Sequence, residues 1–360
     1  TVTWVTGPGC ETPDPRGTWR VAGGEPSDFI AEDPSGALPR VLLAALEQTR
    51  ASACITTAQL DLPGPTIVYV NPAYCRMTGR SREEVIGATP RIMQGPLTDR
   101  RELERLRMDL EAGRPFEGET INYRADRTPF IINWRIDPVR DVDGVTTHFV
   151  ATQEDVTEAR RVERLLEAEQ LLDDALTTAL TSRDDPEVAR QLIVNAVQDG
   201  ASLVAAAGSV STAITIDGNV YTSGAEGDED EPSVTVTLSR SESDVRGAVR
   251  IHGLSADQRS FLDSARLRRY TSRASTVVAA LVEYQRQRET ALRLQQALLP
   301  VAAGSVPGYE IATHYKPGAR GLEIGGDWYD VIHDEHRMVV SVGDVSGNGV
   351  DAAAMMGRLR

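Results

Sequence analysis

Two aspartates near the end of the sequence stand beside glycines, in a pattern that suits metal chemistry. Asp327 follows Gly325-Gly326, and Asp344 follows Gly343 in a glycine-rich turn. Mg²⁺ and Mn²⁺ prefer carboxylate and carbonyl oxygens, and glycines let the backbone and water approach an ion closely. If adjacent strands bring the two carboxylates together, two ions there could activate water and neutralise a phosphoryl group. Spacing alone favours the simpler interpretation, in which both aspartates only form turns.

Four motifs in this region follow one another: LQQALLP (294–300), EIGGDWYD (323–330), GDVSG (343–347) and AAAMMGRLR (352–360). Together they closely resemble the bacterial PPM-type serine/threonine phosphatases of the sporulation and stress-sigma-factor branch. The resemblance implies that Asp327 and Asp344 are catalytic ligands of Mn²⁺ or Mg²⁺, with the Val345 carbonyl as a further ligand. It implies a phosphorylated anti-anti-sigma (STAS-type) protein as substrate. Because that family needs later aspartates, we expect residues 301–360 to be a truncated α/β/β/α domain and this chain to be inactive.

A second group of candidate residues lies in a segment whose pattern predicts a compact α+β domain. Strands are predicted at 67–70, 116–124, 129–138 and 146–153. A long helix is predicted from Asp99 to Ala112, ended by Gly113. Ser81 and Glu84 have the spacing of a capping box at the start of another helix.

This segment resembles the PAS family and, within it, the flavin-binding LOV subgroup. The resemblance rests on VNPAYCRMTG (70–79), SREEVIG (81–87), RIMQGP (91–96) and INY (121–123). It implies an antiparallel sheet with helices that binds FMN or another flavin. Arginines suit the phosphate and side-chain amides suit the ring edge. The implied cofactor contacts are Thr57, Arg91, Gln94, Arg107, Asn122 and Gln153.

Two departures from the LOV pattern bear on chemistry. Pro90 stands where the family has its photoreactive cysteine, so a covalent adduct at that site is excluded. Ile132 replaces a second asparagine that contacts the ring, and this removes one polar group. Two alternatives follow: a bound flavin responds by one-electron photoreduction that Gln153 reports to the next helix, or no flavin binds and the domain is a structural dimeriser. Cys54 and Cys75 are expected to be ordinary buried residues.

The rest of the chain predicts further domains joined by helices. A heptad-like apolar stripe in residues 156–182 predicts either a short dimer seam or a helix packed on a neighbour. After it, the sequence predicts a helix from Pro186 to Asp199, strands near 209–216, 219–222, 233–239 and 245–251, and a turn at Asp217-Gly218-Asn219. This order of elements resembles a GAF domain. We therefore predict a multidomain α+β protein that forms a parallel homodimer through helical, coiled-coil linkers. Its predicted parts are an arm (1–36), a helix (37–51), the PAS/LOV-like domain (52–157), a linker (158–182), the GAF-like domain (183–265), a signalling helix (266–300) and the phosphatase segment (301–360).

Composition narrows the class of protein. The net charge is −15 and the pI is about 4.9, which argues against a nucleic-acid partner. Three cysteines without CxxC spacing suit a reducing cytosol, and the apolar runs are too short to cross a membrane. We predict a cytoplasmic, sensor-regulated protein phosphatase; the alternative is a non-catalytic flavin photoreceptor or dimeric signalling scaffold.

Overall fold

The computed structural model describes residues 44–181, 185–206, 208–225, 233–239, 246–298, 325–333 and 337–348, with Met355 and Arg358. The chain divides into two compact units, Thr1–Asp155 and Val156–Arg360. The predicted arm, most of the predicted helix at 37–51 and a strand predicted at 310–315 lie outside the described residues. Helix α1 is described at 44–48.

The first unit is built on a five-stranded antiparallel sheet with strand order β2-β1-β5-β4-β3. Its elements are β1 (Ser52–Thr57), β2 (Ile67–Val70), α2 (Pro72–Thr78), α3 (Arg82–Val85), a 3₁₀ helix (Pro90–Met93), α4 (Arg100–Glu111), β3 (Phe116–Tyr123), β4 (Pro129–Arg140) and β5 (Thr146–Asp155). The sequence predicted β2 to β5 but missed β1. This strand lies between β2 and β5 and is buried along most of its length, so it lacks the alternation that identifies a half-exposed strand.

One buried asparagine joins three elements of this unit. The Asn71 side-chain oxygen accepts hydrogen bonds from the backbone N–H groups of Tyr74 and Ala53, each at 3.0 Å. Its amide nitrogen donates to the carbonyls of Leu46 and Ala51. Asn71 therefore caps α2 and ties it to β1 and α1. All its polar atoms are satisfied, which offsets the cost of burying an amide.

The predicted helix signals act as expected. Ser81 and Glu84 form the capping box of α3. Asp99 caps α4 by accepting from the N–H groups of Arg101 and Glu102, and Gly113 follows the helix with a positive φ of 67°. The apolar side of α4 packs towards the sheet through Leu103, Leu106 and Leu110.

The second unit is a four-stranded antiparallel sheet with strand order β7-β6-β9-β8 and three helices against it. Its elements are α5 (Thr157–Thr181), α6 (Pro186–Ala205), β6 (Ser209–Ile216), β7 (Asn219–Ser223), β8 (Val234–Ser239), β9 (Arg246–His252), α7 (Ala256–Phe261) and α8 (Ser264–Leu298). All four strands match their predicted positions. Asp217 and Gly218 both have positive φ, as a tight two-residue hairpin requires.

Helix α6 runs past its predicted end at Asp199. The residue after that predicted end is Gly200, a type that commonly ends helices. In the structure Gly200 lies inside the helix, and a Cβ built there would come within 2.1 Å of the Tyr270 hydroxyl oxygen. That hydroxyl donates towards the carbonyls of Ala196 and Val197 at 3.1 Å each. The glycine is thus explained by the close approach of α8 and not by helix termination.

Two helices predicted as linkers supply much of this unit's core. Leu165, Leu172 and Ala179 of α5 are buried together with Leu267 and Val278 of α8. The apolar stripe of α5 therefore packs on neighbouring helices of its own chain, which was one of the two predicted alternatives. The predicted boundaries at 182/183 and 265/266 need correction, since α5 and the first half of α8 belong to this core.

Residues 325–333 and 337–348 form an antiparallel hairpin. Its strands are β10 (Gly325–His333) and β11 (Met338–Asn348). Both strands extend the predicted ones at 328–332 and 338–342. Several of its apolar side chains are exposed, among them Ile332, Val340 and Val342. A two-stranded hairpin alone is at best marginally stable in water.

Candidate functional site

The first unit encloses a cavity of about 440 Å³ between its sheet and α4. The floor is formed by side chains of β1, β3, β4 and β5, the roof by α4, and one end by the 3₁₀ helix. The lining is mainly apolar, and its polar groups are few. Such a cavity has the size and character of a small-molecule site. The residues that line the cavity include Cys54, Thr56, Pro90, Arg91, Gln94, Arg100, Arg107, Asn122, Trp134, Ala151 and Gln153.

Three lining side chains have a buried polar atom that lacks a hydrogen-bond partner. These atoms are Asn122 Oδ1, Gln153 Oε1 and Trp134 Nε1. Asn122 and Trp134 are 4% and 6% exposed, so water cannot easily supply the missing bond. A buried unpaired polar atom costs about 1–3 kcal/mol. Two acceptors and one donor around one cavity therefore indicate a ligand with both donor and acceptor groups.

The sheet register places Trp134 and Gln153 side by side and puts Asn122 further along the sheet, opposite Phe130. Trp134 of β4 pairs directly with Gln153 of β5. Asn122 lies on β3, which pairs with the other edge of β4. Because side chains alternate along a strand, Ile132, Trp134 and Ile136 share the inner face of β4. Asn133 is on the opposite face, where its amide donates to Glu119 at 3.0 Å.

Three arginines lie along one side of the cavity. Arg91 follows Pro90 in the 3₁₀ helix, and Arg100 and Arg107 lie on α4. Arg107 bonds Glu111 at 2.6 Å and approaches Asp61 at 3.6 Å; the hydrogen bond to Glu111 is the main cause of its raised pKa. In the described part of the chain, Arg91 and Arg100 form no ion pair. Guanidinium groups in this arrangement suit a phosphate or carboxylate.

Five of the six sequence-predicted contacts line the cavity: Arg91, Gln94, Arg107, Asn122 and Gln153. The sixth, Thr57, does not, and its neighbour Thr56 takes that place. The reason is the alternation of β1, which turns Cys54 and Thr56 inward. The Thr57 hydroxyl instead accepts from the N–H of Thr66 at 2.9 Å.

Sequence reasoning missed Trp134 and gave Arg100 no role. Trp134 is two residues beyond Ile132, so the alternation of β4 alone was enough to place it on the inner face. Arg100 follows the helix cap Asp99, and its guanidinium lies 3.5 Å from Gln94 Oε1. Its contribution depends on the direction of α4, which the sequence does not give.

No reactive thiol faces this cavity. Pro90 occupies the first turn of the 3₁₀ helix and lines the cavity. Cys54 also lines it, but burial raises the pKa of that thiol to about 12, and a protonated thiol is a poor nucleophile. Cys75 is partly buried, does not line the cavity, and burial raises its pKa as well.

The β10–β11 hairpin brings the two predicted metal ligands opposite each other. Asp327 and Asp344 are directly paired across the two strands. Among the residues that the structure describes, no group of three or more histidine, cysteine, aspartate or glutamate side chains is placed to hold a metal ion. The assignment of Asp327, Asp344 and Val345 as metal ligands therefore stays a prediction.

Comparison with known families identifies the first unit. Residues 52–158 match the model of the PAS domain family, and this part of the chain is a PAS domain. The curated relatives of this region include blue-light-activated histidine kinases and a phototropin. Blue-light-activated histidine kinase 1 of Erythrobacter litoralis is 36% identical over 120 residues, which is 33% of this chain and 32% of that protein. Phototropin-2 of Oryza sativa subsp. japonica is 34% identical over 126 residues, 33% of this chain and 13% of that protein.

Solved structures of LOV proteins are also similar in sequence. The LOV domain of an Erythrobacter litoralis blue-light activated histidine kinase is 33% identical; the match covers 31% of this chain and 99% of that one, with a TM-score of 0.29. An RNA-binding light-oxygen-voltage receptor is 29% identical, with coverage of 39% and 38% and a TM-score of 0.34.

The family match confirms the prediction of a PAS domain at residues 52–158. This chain spans about a third or less of the length of the curated relatives. The comparisons give no support to the GAF or phosphatase predictions. They favour the predicted alternative, a photoreceptor, over the phosphatase. No helix among the described residues is long and apolar enough to cross a membrane.

Proposed function

We propose that the PAS domain binds a flavin noncovalently and is the blue-light sensor of a signalling protein. The observation that carries this proposal is the convergence of unpaired buried polar atoms on one enclosed cavity. A flavin ring has a planar apolar body with an N–H donor and several acceptors along its polar edge. Asn122 Oδ1 and the Gln153 amide can pair with that edge, and the apolar lining can cover the rest.

The arginines favour a phosphorylated flavin. Arg91, Arg100 and Arg107 lie on one side of the cavity, whereas Asn122 and Gln153 lie on the sheet. A molecule with a phosphate at one end and a polar ring edge at the other matches this separation, and FMN has both. The bonds of Arg107 to Glu111 and Asp61 are half-exposed and therefore weak, so this guanidinium can also serve the phosphate.

Light sensing here would use no cysteine adduct, since Pro90 takes the place of the photoreactive residue. The bound flavin would supply light absorption and one-electron chemistry. Gln153 is the residue that would carry the change outward. It precedes Asp155 by two positions on β5, and Asp155 forms an ion pair with Arg124. Rotation of the Gln153 amide would alter the end of β5 where the chain leaves the domain.

The test is to purify the 360-residue chain, record its visible spectrum, and titrate FMN and riboflavin into the flavin-free protein. We expect a yellow protein that binds FMN more tightly than riboflavin, because only FMN engages the arginines. A colourless protein that takes up neither ligand would overturn the proposal. Substitution Pro90→Cys is the matched chemical control: blue light should then bleach the flavin reversibly through a thiol adduct, which the unsubstituted chain cannot form.

A second candidate function is supported by the hairpin register. The direct pairing of Asp327 with Asp344 is what two carboxylates need in order to share a Mn²⁺ or Mg²⁺ site. We infer that the full-length protein is a PPM-type phosphatase acting on a phosphorylated anti-anti-sigma protein. The test is Mn²⁺-dependent hydrolysis of a phosphoserine protein by the full-length protein, with Asp327→Asn as control. Equal rates for the two forms would eliminate this function.

We also propose that the protein is a homodimer. Helix α5 leaves Val162 and Leu166 exposed at 45% and 59%. These residues are four apart and therefore lie on the same side of the helix. Light scattering should give twice the chain mass, and Leu166→Arg should lower it to one chain mass. A monomer at all concentrations would exclude this proposal.

A further inference from the structure

The indole of Trp134 is the feature that the proposed function leaves unexplained. Trp134 is 6% exposed and lines the cavity. Its Nε1–H group is buried without a partner, although buried tryptophans usually donate their N–H to an acceptor. The indole is held in place by Phe116, whose ring centroid lies 6.0 Å away at an interplanar angle of 37°. A rigidly held donor that lacks an acceptor points to a ligand.

Trp134 also lies where a polar contact has been lost. Ile132 is fully buried on the same face of β4 and cannot hydrogen-bond a ring. Trp134 is two residues further along, about 6.6 Å away, and pairs with Gln153 across the sheet. The donor missing at position 132 is therefore replaced by an indole N–H next to the Gln153 amide.

We propose that Trp134 is a flavin-contact residue that donates a hydrogen bond to a ring acceptor and quenches the excited ring by electron transfer. This inference rests on the proposed flavin binding. An indole is an electron-rich ring that an excited flavin can oxidise. One electron passes from the indole to the excited ring, which leaves a flavin radical beside Gln153 until the electron returns, so nothing is consumed and no light is emitted. The indole thus both orients the ring and sets the lifetime of its excited state.

The experiment compares the full chain with Trp134→Phe, using FMN as the ligand. Phenylalanine keeps an aromatic ring against Phe116 but has no N–H and is much harder to oxidise. We expect FMN affinity to fall about tenfold, since one buried hydrogen bond is lost. We expect the emission of bound FMN to rise severalfold and its lifetime to lengthen. Trp328→Phe, on β10, is the matched control and should change neither quantity.

The outcomes separate this inference from the proposed function. If the unsubstituted chain binds no FMN, both fail. If it binds FMN but the bound ligand emits as strongly as free FMN, flavin binding stands and the role of Trp134 is wrong; this measurement needs no variant. If Trp134→Phe folds, as judged by its unfolding curve, and leaves affinity and emission unchanged, the inference is likewise overturned. The inference is supported if bound FMN emits weakly in the unsubstituted chain and in Trp328→Phe, but strongly in Trp134→Phe.

Discussion

The two units are built from similar parts but differ, in the residues that the structure describes, in what their sheets face. Both are antiparallel sheets covered by helices. In the first, the inner face of the sheet borders a cavity of about 440 Å³ with unpaired polar atoms. In the second, Leu172, Ile193 and Val278 meet in a tightly buried apolar cluster. A shared architecture therefore does not predict binding; the side chains that face inward decide it.

Buried aromatic groups show the same difference. The Tyr270 hydroxyl of the second unit donates towards two backbone carbonyls at 3.1 Å. The Trp134 indole of the first unit has no partner for its N–H. Most buried polar groups in a stable core are paired internally, although Thr212 Oγ1 and His252 Nδ1 of the second unit also lack a partner. A core with unpaired polar groups at a cavity is less stable by itself and gains stability from a ligand.

The largest expected effect tests whether α5 is part of the second core. Leu172 is fully buried on α5, so Leu172→Ala should lower the free energy of unfolding of this unit by about 3 kcal/mol. The control is Leu171→Ala on the same helix, where the side chain is 37% exposed and the change should be below about 1 kcal/mol. Urea unfolding measures both. If both variants lose the same small amount of unfolding free energy, α5 is an independent linker and not part of the core.

Ligand addition should stabilise the first unit alone. At a concentration of 100 times its Kd, FMN should add about 2.7 kcal/mol. For a domain of roughly 100 residues this raises the Tm by on the order of 10 °C. Calorimetry of the chain should show one transition moving and the other unchanged. Mn²⁺ should move neither, and a clear shift with Mn²⁺ would indicate a complete metal site in this chain.

Substitutions that enlarge a side chain distinguish the cavity of the first unit from the apolar core of the second. Ala151 lines the cavity on β5, whereas Ala201 is fully buried on α6. Ala201→Leu should cost about 1–3 kcal/mol because no room is available. Ala151→Leu should cost less than about 1 kcal/mol, since the added atoms enter the cavity, and it should abolish FMN binding. Similar unfolding losses for the two variants would contradict the contrast drawn between the cores.

A smaller change in the free energy of unfolding is expected from substitution of Asn122. Asn122→Leu removes a buried acceptor without a partner while keeping a similar volume. The flavin-free protein should gain on the order of 1 kcal/mol in its free energy of unfolding, and FMN affinity should fall. Urea unfolding without ligand and an FMN titration give the two quantities. A loss of stability would show that the Asn122 amide serves the fold and not a ligand.

The smallest effect concerns pH. Burial raises the pKa of Cys54 from its ordinary value of 9.0 to about 12, so the folded chain holds this proton more firmly than the unfolded chain. The resulting stabilisation is complete below pH 9 and is lost as pH rises towards 12. Cys54→Ala should flatten the fall of stability between pH 9 and 10, measured by urea unfolding. Cys75→Ala is the control. If it flattens the fall of stability with pH more than Cys54→Ala does, Cys54 is not the group responsible.

Local signals were predictable because they depend on a few neighbouring residues. The Ser81–Glu84 capping box, the Asp99 cap and the Asp217-Gly218 turn all formed where the sequence placed them. The resemblance to the LOV pattern named Asn122 and Gln153, and both line the cavity. Alternation along β4 could have placed Trp134 beside Ile132, but a tryptophan at an inner position is more often a core residue than a contact for a ligand.

Long-range packing accounts for what the sequence did not give. Gly200 ends a helix in the local pattern, but Tyr270 from α8 makes it an interior residue. The apolar stripe of α5 fits a partner helix equally well in the same chain or in another, and only the fold shows that α6 and α8 cover it.

The sequence by itself determined the PAS domain, four of its five strands, five of its cavity-lining residues and the absence of a cysteine at position 90. The tertiary structure alone decided that Thr56 replaces Thr57, that Arg100 joins the arginines, and that the polar atoms of Asn122, Gln153 and Trp134 lack partners. The physical reason is that residue type and local spacing fix which groups a chain can offer. Whether such a group is satisfied depends on neighbours that are distant in sequence and meet only in the fold.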